Sequence, residues 1–504
     1  MSLQSYNLVE GLSFEQLSDI LVDSLLGVLY GAALGDAYGL STEFMTKKEI
    51  ESVYGKNVPV PFPNYQKTDH NSRWISGDHT DDFDQLLLIL ETIVEATDPT
   101  SKLSTTSKQN VVTPKPSVDQ KNPLSTNWVT TFNDAKGNIM FDFNVADSFS
   151  RVDLKVSYDG RTPLLITTPA KLIGSKAYAG QLDAVIECKG YPTVSMQFKN
   201  GILISQKSNH KQIETAVPIS DFSNAHLLFA YKLLEWIKHG YPELGDTAGM
   251  GLGALTSAVS KHPDFLTNPH KASDEVYRSR PDKSAANGAL MRTAVIGCFQ
   301  SDDLSKVVSN SDKFCKVTHS DPKCIASCRL ISVLIAFILQ TKKKQQQSHK
   351  KPTMVMTDSS KTDSKSDLKE SAFVNYSFDD AMPLATSIFD ADPKTKADNV
   401  KEFQKWCDPQ LTLSDLKLDD SKTIGYTYKA MACALYGLRS TKSFIETLQP
   451  LVLEGGDADS NGIGCGALWG ARFGYQALPK QWLAAMPHKK WIDAKITKFI
   501  NLIV

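Results

Sequence analysis

Two short stretches near opposite ends of this 504-residue chain hold side chains suited to metal or acid–base chemistry. The later one is Glu454-Gly-Gly-Asp-Ala-Asp-Ser-Asn461, with Asp457 and Asp459 one residue apart and a hydroxyl at Ser460. The earlier one is Ser76-Gly-Asp-His-Thr-Asp-Asp82, where Thr80 stands beside the adjacent acids Asp81 and Asp82. Neighbouring carboxylates repel one another unless a proton or a cation lies between them. Hard oxygen donors of this kind suit Mg²⁺, with Mn²⁺ as the alternative. Each stretch runs into an apolar helical pattern, Leu86 to Val94 in one case and Ile463, Ala467, Leu468 and Ala471 in the other. Asp and Ser are also ordinary helix caps, and Gly-Gly is an ordinary turn. Having two such clusters, rather than one, favours a shared pair of cations.

The elements that must position these acids read mostly as helices. The first spans about Phe14 to Leu34, and its glycines Gly27, Gly31 and Gly35 recur every four residues, a spacing that lets helices approach closely. Asp36-Ala-Tyr-Gly39 and Glu43 follow. From 99 to 220 the pattern becomes period-two: Val152, Leu154, Val156 and Tyr158 alternate with polar residues, as do Ile139, Phe141, Phe143 and Val145. Asn200-Gly201 supplies a hairpin turn there. The helical pattern resumes at His226 to Lys238, and Gly249-Met-Gly-Leu-Gly253 opens another helix, as a plain turn or as backbone open to a phosphate. Asn287-Gly-Ala-Leu-Met-Arg292 reads as a capped helix start or as a polar contact to a ligand. Asp321-Pro322 starts a long apolar helix from Ile325 to Leu339. Residues 341–369, rich in Lys, Gln, Ser and Asp, read as a disordered low-complexity loop. Cys315, His319, Cys324 and Cys328 fit no standard zinc spacing.

The fold class is therefore mainly α, with 1–98, 221–340 and 370–504 forming a helical domain interrupted by a β-rich insertion at 99–220. A net charge of −1, from 55 basic and 56 acidic residues, gives no support for nucleic-acid or membrane-surface binding. The eight cysteines form no disulfide framework and fit a reducing compartment. No stretch resembles a signal peptide, and no run is expected to reach the roughly 18 apolar residues of a membrane helix. The expected location is the cytoplasm, with the Lys-rich loop as the one hint of nuclear access, and the expected state is a monomer.

Taken in order, these motifs resemble the ADP-ribosylglycohydrolase family. Gly35-Asp36-Ala37 with Gly39 and Glu43, the acids at 80–82, Asn287-Gly288 with Met291-Arg292, the Thr318-His319 pair and the late Asp457 and Asp459 match its motifs in sequence. Phe83 and Ala458 depart from the family's usual hydroxyl residues. The resemblance implies an all-helical bundle and a two-ion site held by Thr80, Asp81, Asp82, Asp457, Asp459 and Ser460. It implies ligand contacts at Gly249, Gly251, Asn287, Gly288, Met291, Arg292 and His319, and chemistry by Glu43, Asp82 and Asp459. The implied activity is metal-dependent hydrolysis of the N- or O-glycosidic bond between ADP-ribose and a protein or small-molecule acceptor. The alternative is a non-catalytic ADP-ribose-binding or structural relative. If the first reading holds, the four Asp carboxylates converge on cation positions about 3.5–4 Å apart.

Overall fold

The computed structural model describes residues 9–97, 222–349 and 378–504, together with strand backbones between 129 and 208. The backbone divides into two compact units, Met1–Val94 with His226–Val504, and Glu95–Ala225.

The first unit is helical. Its principal elements are α1 (Ile20–Gly39), α2 (Asp81–Thr97), α3 (Ala225–His239), α4 (Pro322–His349), α5 (Thr427–Arg439), α6 (Ala458–Phe473) and α7 (Lys489–Ile503). The expected helix from Phe14 to Leu34 is instead a single turn at Phe14–Leu17 followed by α1. The break falls at Asp19, whose carboxylate accepts hydrogen bonds from the backbone N–H groups of Leu21 at 2.9 Å and Val22 at 3.2 Å. A capped start satisfies donors that a continuous helix would have paired internally. The second helix then runs beyond Leu34 to Gly39, which carries Asp36 on a rigid element.

Two helices, α1 and α6, make the centre of the unit and are buried on nearly every side. Their contact is a seam of backbone against backbone. A Cβ on Gly27 would lie 2.1 Å from the Gly470 carbonyl oxygen, one on Gly31 2.3 Å from that of Gly466, and one on Gly35 2.1 Å from that of Gly462. Gly39 continues the row, facing the Ala458 carbonyl at 2.2 Å by the same measure. No side chain fits at these crossings, so the four-residue glycine spacing in α1 needs a matching antiparallel stripe in α6. Contacts this close allow Cα–H groups to face carbonyls, worth about 0.5–1 kcal/mol each. They also bring the C-terminal end of α1 to the N-terminal end of α6.

Two helices do have the length and apolarity of a membrane span, contrary to the reading above. Windows in Ile20–Gly39 and Pro322–Gln347 reach mean hydropathies of 1.5 and 1.9, and 83% of each window is buried inside the protein. That apolar surface packs the core. Asp321 caps α4 through Lys323 N at 2.8 Å, as its sequence suggests. α4 then continues to His349. The segment expected to be a loop from 341 therefore begins as helix, in which Lys344, Gln345 and Gln347 are exposed. Residues 350–377 lie outside those described.

Among the described residues the second unit has eight strands: β1 (Val129–Asn133), β2 (Ile139–Phe143), β3 (Val152–Tyr158), β4 (Pro163–Ile166), β5 (Ala170–Tyr178), β6 (Gln181–Cys188), β7 (Val194–Lys199) and β8 (Ile202–Ser208). They pair antiparallel, each with its sequence neighbour, in the orders β1-β2-β3-β4 and β5-β6-β7-β8. Registers such as Phe141 with Leu154 and Lys199 with Ile202 define the ladders. The Asn200-Gly201 turn and the boundaries proposed near 98 and 220 lie outside the described residues.

Candidate active site

The glycine seam places Asp36, at the end of α1, beside the starts of α2 and α6. Asp36 is fully buried and accepts from Thr80 N at 2.9 Å and Phe83 N at 2.8 Å, so it caps α2 from a neighbouring helix. This fixes where Thr80, Asp81 and Asp82 begin. Asp457 occupies the cap position of α6, and Asp459 sits in its first turn.

Direct contacts join the two acidic stretches across the sequence. Ser460 Oγ donates to Asp82 Oδ2 at 2.6 Å, and Thr80 Oγ1 donates to Asp459 Oδ2 at 3.2 Å. One carboxylate oxygen from each of Glu43, Asp457 and Asp459 falls within 4.8 Å of the others, a grouping able to hold a cation. Glu43 reaches this group from a loop tied to the acidic turn. Phe44 N donates to the Gly456 carbonyl at 2.7 Å, and Gly456 N donates to the Met45 carbonyl at 2.9 Å. Asn287 Nδ2 donates to Asp457 Oδ2 at 2.8 Å.

Asp81 is held from behind. Gln85 Nε2 donates to its Oδ2 at 2.8 Å, while Gln85 Oε1 accepts from Arg292 Nη1 at 2.8 Å. The other terminal nitrogen of Arg292, Nη2, donates to Thr318 Oγ1 at 2.5 Å, and that hydroxyl lies 2.7 Å from His319 Nδ1. Phe229 packs beneath the guanidinium, 4.9 Å from ring centroid to Cζ. Gly251, at φ +89°, presses its backbone on Asp81, where a Cβ would lie 2.0 Å from Oδ1.

The electrostatics are unfavourable without a counter-charge. Burial first, then the charges of Glu43 and Asp36, push the Asp81 carboxyl well above the ordinary range. Burial and the nearby Asp81 charge do the same to Asp82. Asp459 is pushed up by burial, Glu43 and Asp82, and Asp457 is raised by burial and Glu43. Burial takes the Asp36 carboxyl up to about 7. Two like charges 4 Å apart repel by about 4 kcal/mol at an effective dielectric near 20. Protons or a cation must relieve this, and all the facing donors are hard oxygens. The residues present therefore fit a divalent cation.

The residues expected to contact a ligand lie at different depths. Arg292 is fully buried, and its guanidinium is engaged by Gln85, Thr318 and Phe229. In that position it orients the Gln85–Asp81 pair. Met291 is 5% exposed and lies against Ser460, its sulfur 3.9 Å from Oγ. His319 is 1% exposed, and burial with the Arg292 charge pulls its basicity well down. Its ring underlies Gly288, whose added Cβ would stand 3.1 Å from Cε1. Gly249 packs on the Trp236 ring. Asn287 and Gly251 thus touch the acids directly, Arg292 and Met291 reach them through Gln85 and Ser460, and Gly249, Gly288 and His319 pack on other side chains. The sequence reading did not assign Gln85 or Thr318. Gln85 lies one helical turn after Asp81, a spacing that signals a shared face.

The ADP-ribosylglycohydrolase family model matches residues 17–133 and 207–503. The chain belongs to that family of ADP-ribose glycosyl-bond hydrolases. An ADP-ribosylarginine hydrolase, Tri1, of Serratia proteamaculans (strain 568) is 22% identical over 266 residues, covering 53% of this chain and 58% of its own. The chain thus spans little more than half the length of that relative. A solved structure described as an ADP-ribosylglycohydrolase-related protein complex aligns over 96% of this chain and 98% of its own, at 15% identity and a TM-score of 0.40.

Proposed function

We propose that this chain is a divalent-cation-dependent hydrolase that removes ADP-ribose from a protein or small-molecule acceptor. The reading rests on the grouping of Glu43, Asp457 and Asp459 within 4.8 Å, with Thr80 bonded directly to Asp459 and Asp82 tied to the same helix start through Ser460. Thr80, Asp81, Asp82, Asp457, Asp459 and Ser460 are read as the residues that would hold Mg²⁺ or Mn²⁺, as two ions. Such ions orient hydroxyls and lower the pKa of bound water. Asn287, donating to Asp457, fixes that carboxylate's rotamer and leaves its other oxygen for a ligand. Glu43, on a loop rather than a helix, is placed to take a proton from water or to support the positive charge that develops at the ribose anomeric carbon as the acceptor leaves. The ring of buried carboxylates favours that cationic transition state.

We further read 99–220 as an inserted β-rich module, supported by strands that pair only with sequence neighbours. The expected setting is cytoplasmic. The named relative acts on ADP-ribosylarginine, which makes an arginine linkage the first acceptor to try. Purified full chain is incubated with arginine-linked and serine-linked ADP-ribosylated protein, with Mg²⁺ or with chelator, and free ADP-ribose is measured. Release with Mg²⁺ and none with chelator is expected. Equal release in both conditions would remove the cation from the mechanism, and tight ADP-ribose binding without release would make the chain a binding protein.

A further inference from the structure

Glu43 has a neighbour outside the acid cluster. His70 Nε2 lies 2.6 Å from Glu43 Oε2, and on the other edge of the ring Nδ1 lies 2.5 Å from Arg73 Nη2. A guanidinium offers only N–H donors, so Nδ1 must present its lone pair to Arg73. The ring proton is then on Nε2, donated to Glu43. Arg73 Nε also donates to the His70 carbonyl at 3.1 Å, which binds guanidinium and imidazole together. Phe44 meets the ring edge-on with centroids 4.7 Å apart, and Trp74 covers it at 5.2 Å.

The loop that carries His70 is tied to the loop that carries Glu43. Thr68 N donates to Asn71 Oδ1 at 2.8 Å, and Asn71 N donates to Thr68 Oγ1 at 3.1 Å. The buried Asn71 amide then donates to the Ser41 carbonyl at 3.4 Å, two residues before Glu43. A histidine on an ordinary surface loop would face water; the His70 side chain is only 18% exposed and both of its nitrogens are engaged. Glu43 needs such support, because Phe44 beside it holds φ at 60°, an unfavourable backbone for a bulky residue.

We propose that His70 is a positioning residue for Glu43: the Arg73–His70–Glu43 chain selects the Nε2–H tautomer, holds one carboxylate oxygen with that N–H, and leaves the remaining lone pairs for the cation or the substrate. This rests on the function proposed above. Outer partners of metal-site ligands commonly govern affinity and rate in this way.

The test uses the full chain, with Mn²⁺ affinity by calorimetry and steady-state kinetics on ADP-ribosylated protein. His70→Phe keeps the aromatic packing and removes both nitrogens. It should weaken Mn²⁺ binding and lower kcat by about 10- to 100-fold. KM should stay within about 3-fold, as for a loss felt mainly at the transition state. His70→Gln restores an N–H at similar reach and should recover most of both losses. Arg73→Met leaves the ring in place and should give a smaller loss in the same direction, which keeps the test open if His70→Phe folds poorly. Parental Mn²⁺ affinity and kcat in His70→Phe, or His70→Gln no better than His70→Phe, would overturn the proposal. Asp459→Asn run alongside separates the two ideas. If it too matches the parent, the proposed function fails; if it loses both properties while His70→Phe does not, only the role of His70 fails.

Discussion

The two sides of the acidic site are built differently. Asp81, Asp82, Asp459 and Ser460 stand at the starts of α2 and α6, and those helices are located by Asp36 and by the glycine seam. Glu43 stands on a loop with a left-handed Phe44 and depends on the bond from Phe44 N to the Gly456 carbonyl and on its own contact with His70. On the first side the same contacts that fold the core also aim the acids, so fold and site should fail together. On the second side the contacts are local, so chemistry can change while the core stays intact. This contrast teaches which substitutions report on mechanism and which report on folding.

The largest effect should come from the seam. Gly466→Val places a Cβ 2.0 Å from the Gly31 carbonyl oxygen, an obstacle made of backbone that cannot rotate away. Overpacking of a core typically costs about 1–3 kcal/mol, and a rigid obstacle belongs at or beyond the upper end. Thermal melting followed by circular dichroism should show a large drop or no cooperative transition, with activity lost in parallel. A parental melt would mean that the helices have room to separate, and the proposed coupling of fold to site would break.

Next in size are changes inside the site that spare the seam. Asp459→Asn should reduce ADP-ribose release by more than about 100-fold, beyond the range expected for an outer partner. In chelator the same variant should melt no lower than the parent, because it removes one of several repelling buried charges. Ser460→Ala removes a neutral hydroxyl and its bond to Asp82, at a cost of about 1 kcal/mol, and excess Mg²⁺ should restore more of its activity. Equal losses in the two variants would show that charge is not what the site requires.

Much of this site can be read from residue type and spacing. Paired acids next to Thr80 and Ser460 announce oxygen-ligand chemistry, and glycines recurring every four residues announce close helix packing. What spacing does not report is depth. Asn287 and Arg292 belong to one motif, yet one touches an acid and the other is buried behind Gln85. The partner stripe, Gly462, Gly466 and Gly470, carries the same spacing as Gly27, Gly31 and Gly35, but that the two stripes meet is seen only in the fold. His70 and Arg73 gave no sign, because their significance comes from contact between two loops whose meeting no local pattern encodes.

The smallest effect concerns pH. The Asp36 carboxyl, up to about 7, and the raised Asp81, Asp82 and Asp459 bind protons more tightly folded than unfolded. Their stabilising contribution is complete below the unfolded carboxylate pKa and is lost as pH rises through the folded values. Without divalent ions, the melting temperature should therefore climb modestly as pH falls from about 8.5 to about 7, above the range near 6.5 where unfolded histidines take up protons. His270 and His319, both pulled down by burial, oppose the trend only below that window. His79, whose burial is outweighed by its hydrogen bonds to Asp78 and Asp84, and His488, raised by its bond to Asp78, add to the trend. Saturating Mg²⁺ should therefore reduce the slope only by the share of Asp81, Asp82 and Asp459, whose oxygens a cation needs deprotonated. Identical slopes with and without Mg²⁺ would indicate that the acids are relieved in some other way.

If acids from both ends of the chain form one cation site, anomalous diffraction from crystals of the full chain grown with Mn²⁺ should show strong peaks about 2 Å from carboxylate oxygens, bounded by Glu43, Asp457 and Asp459 on one side and by Asp81 and Asp82 on the other. Two peaks about 3.5–4 Å apart would establish a paired site. No peak among these carboxylates, in a crystal whose protein releases ADP-ribose in the same buffer, would contradict it.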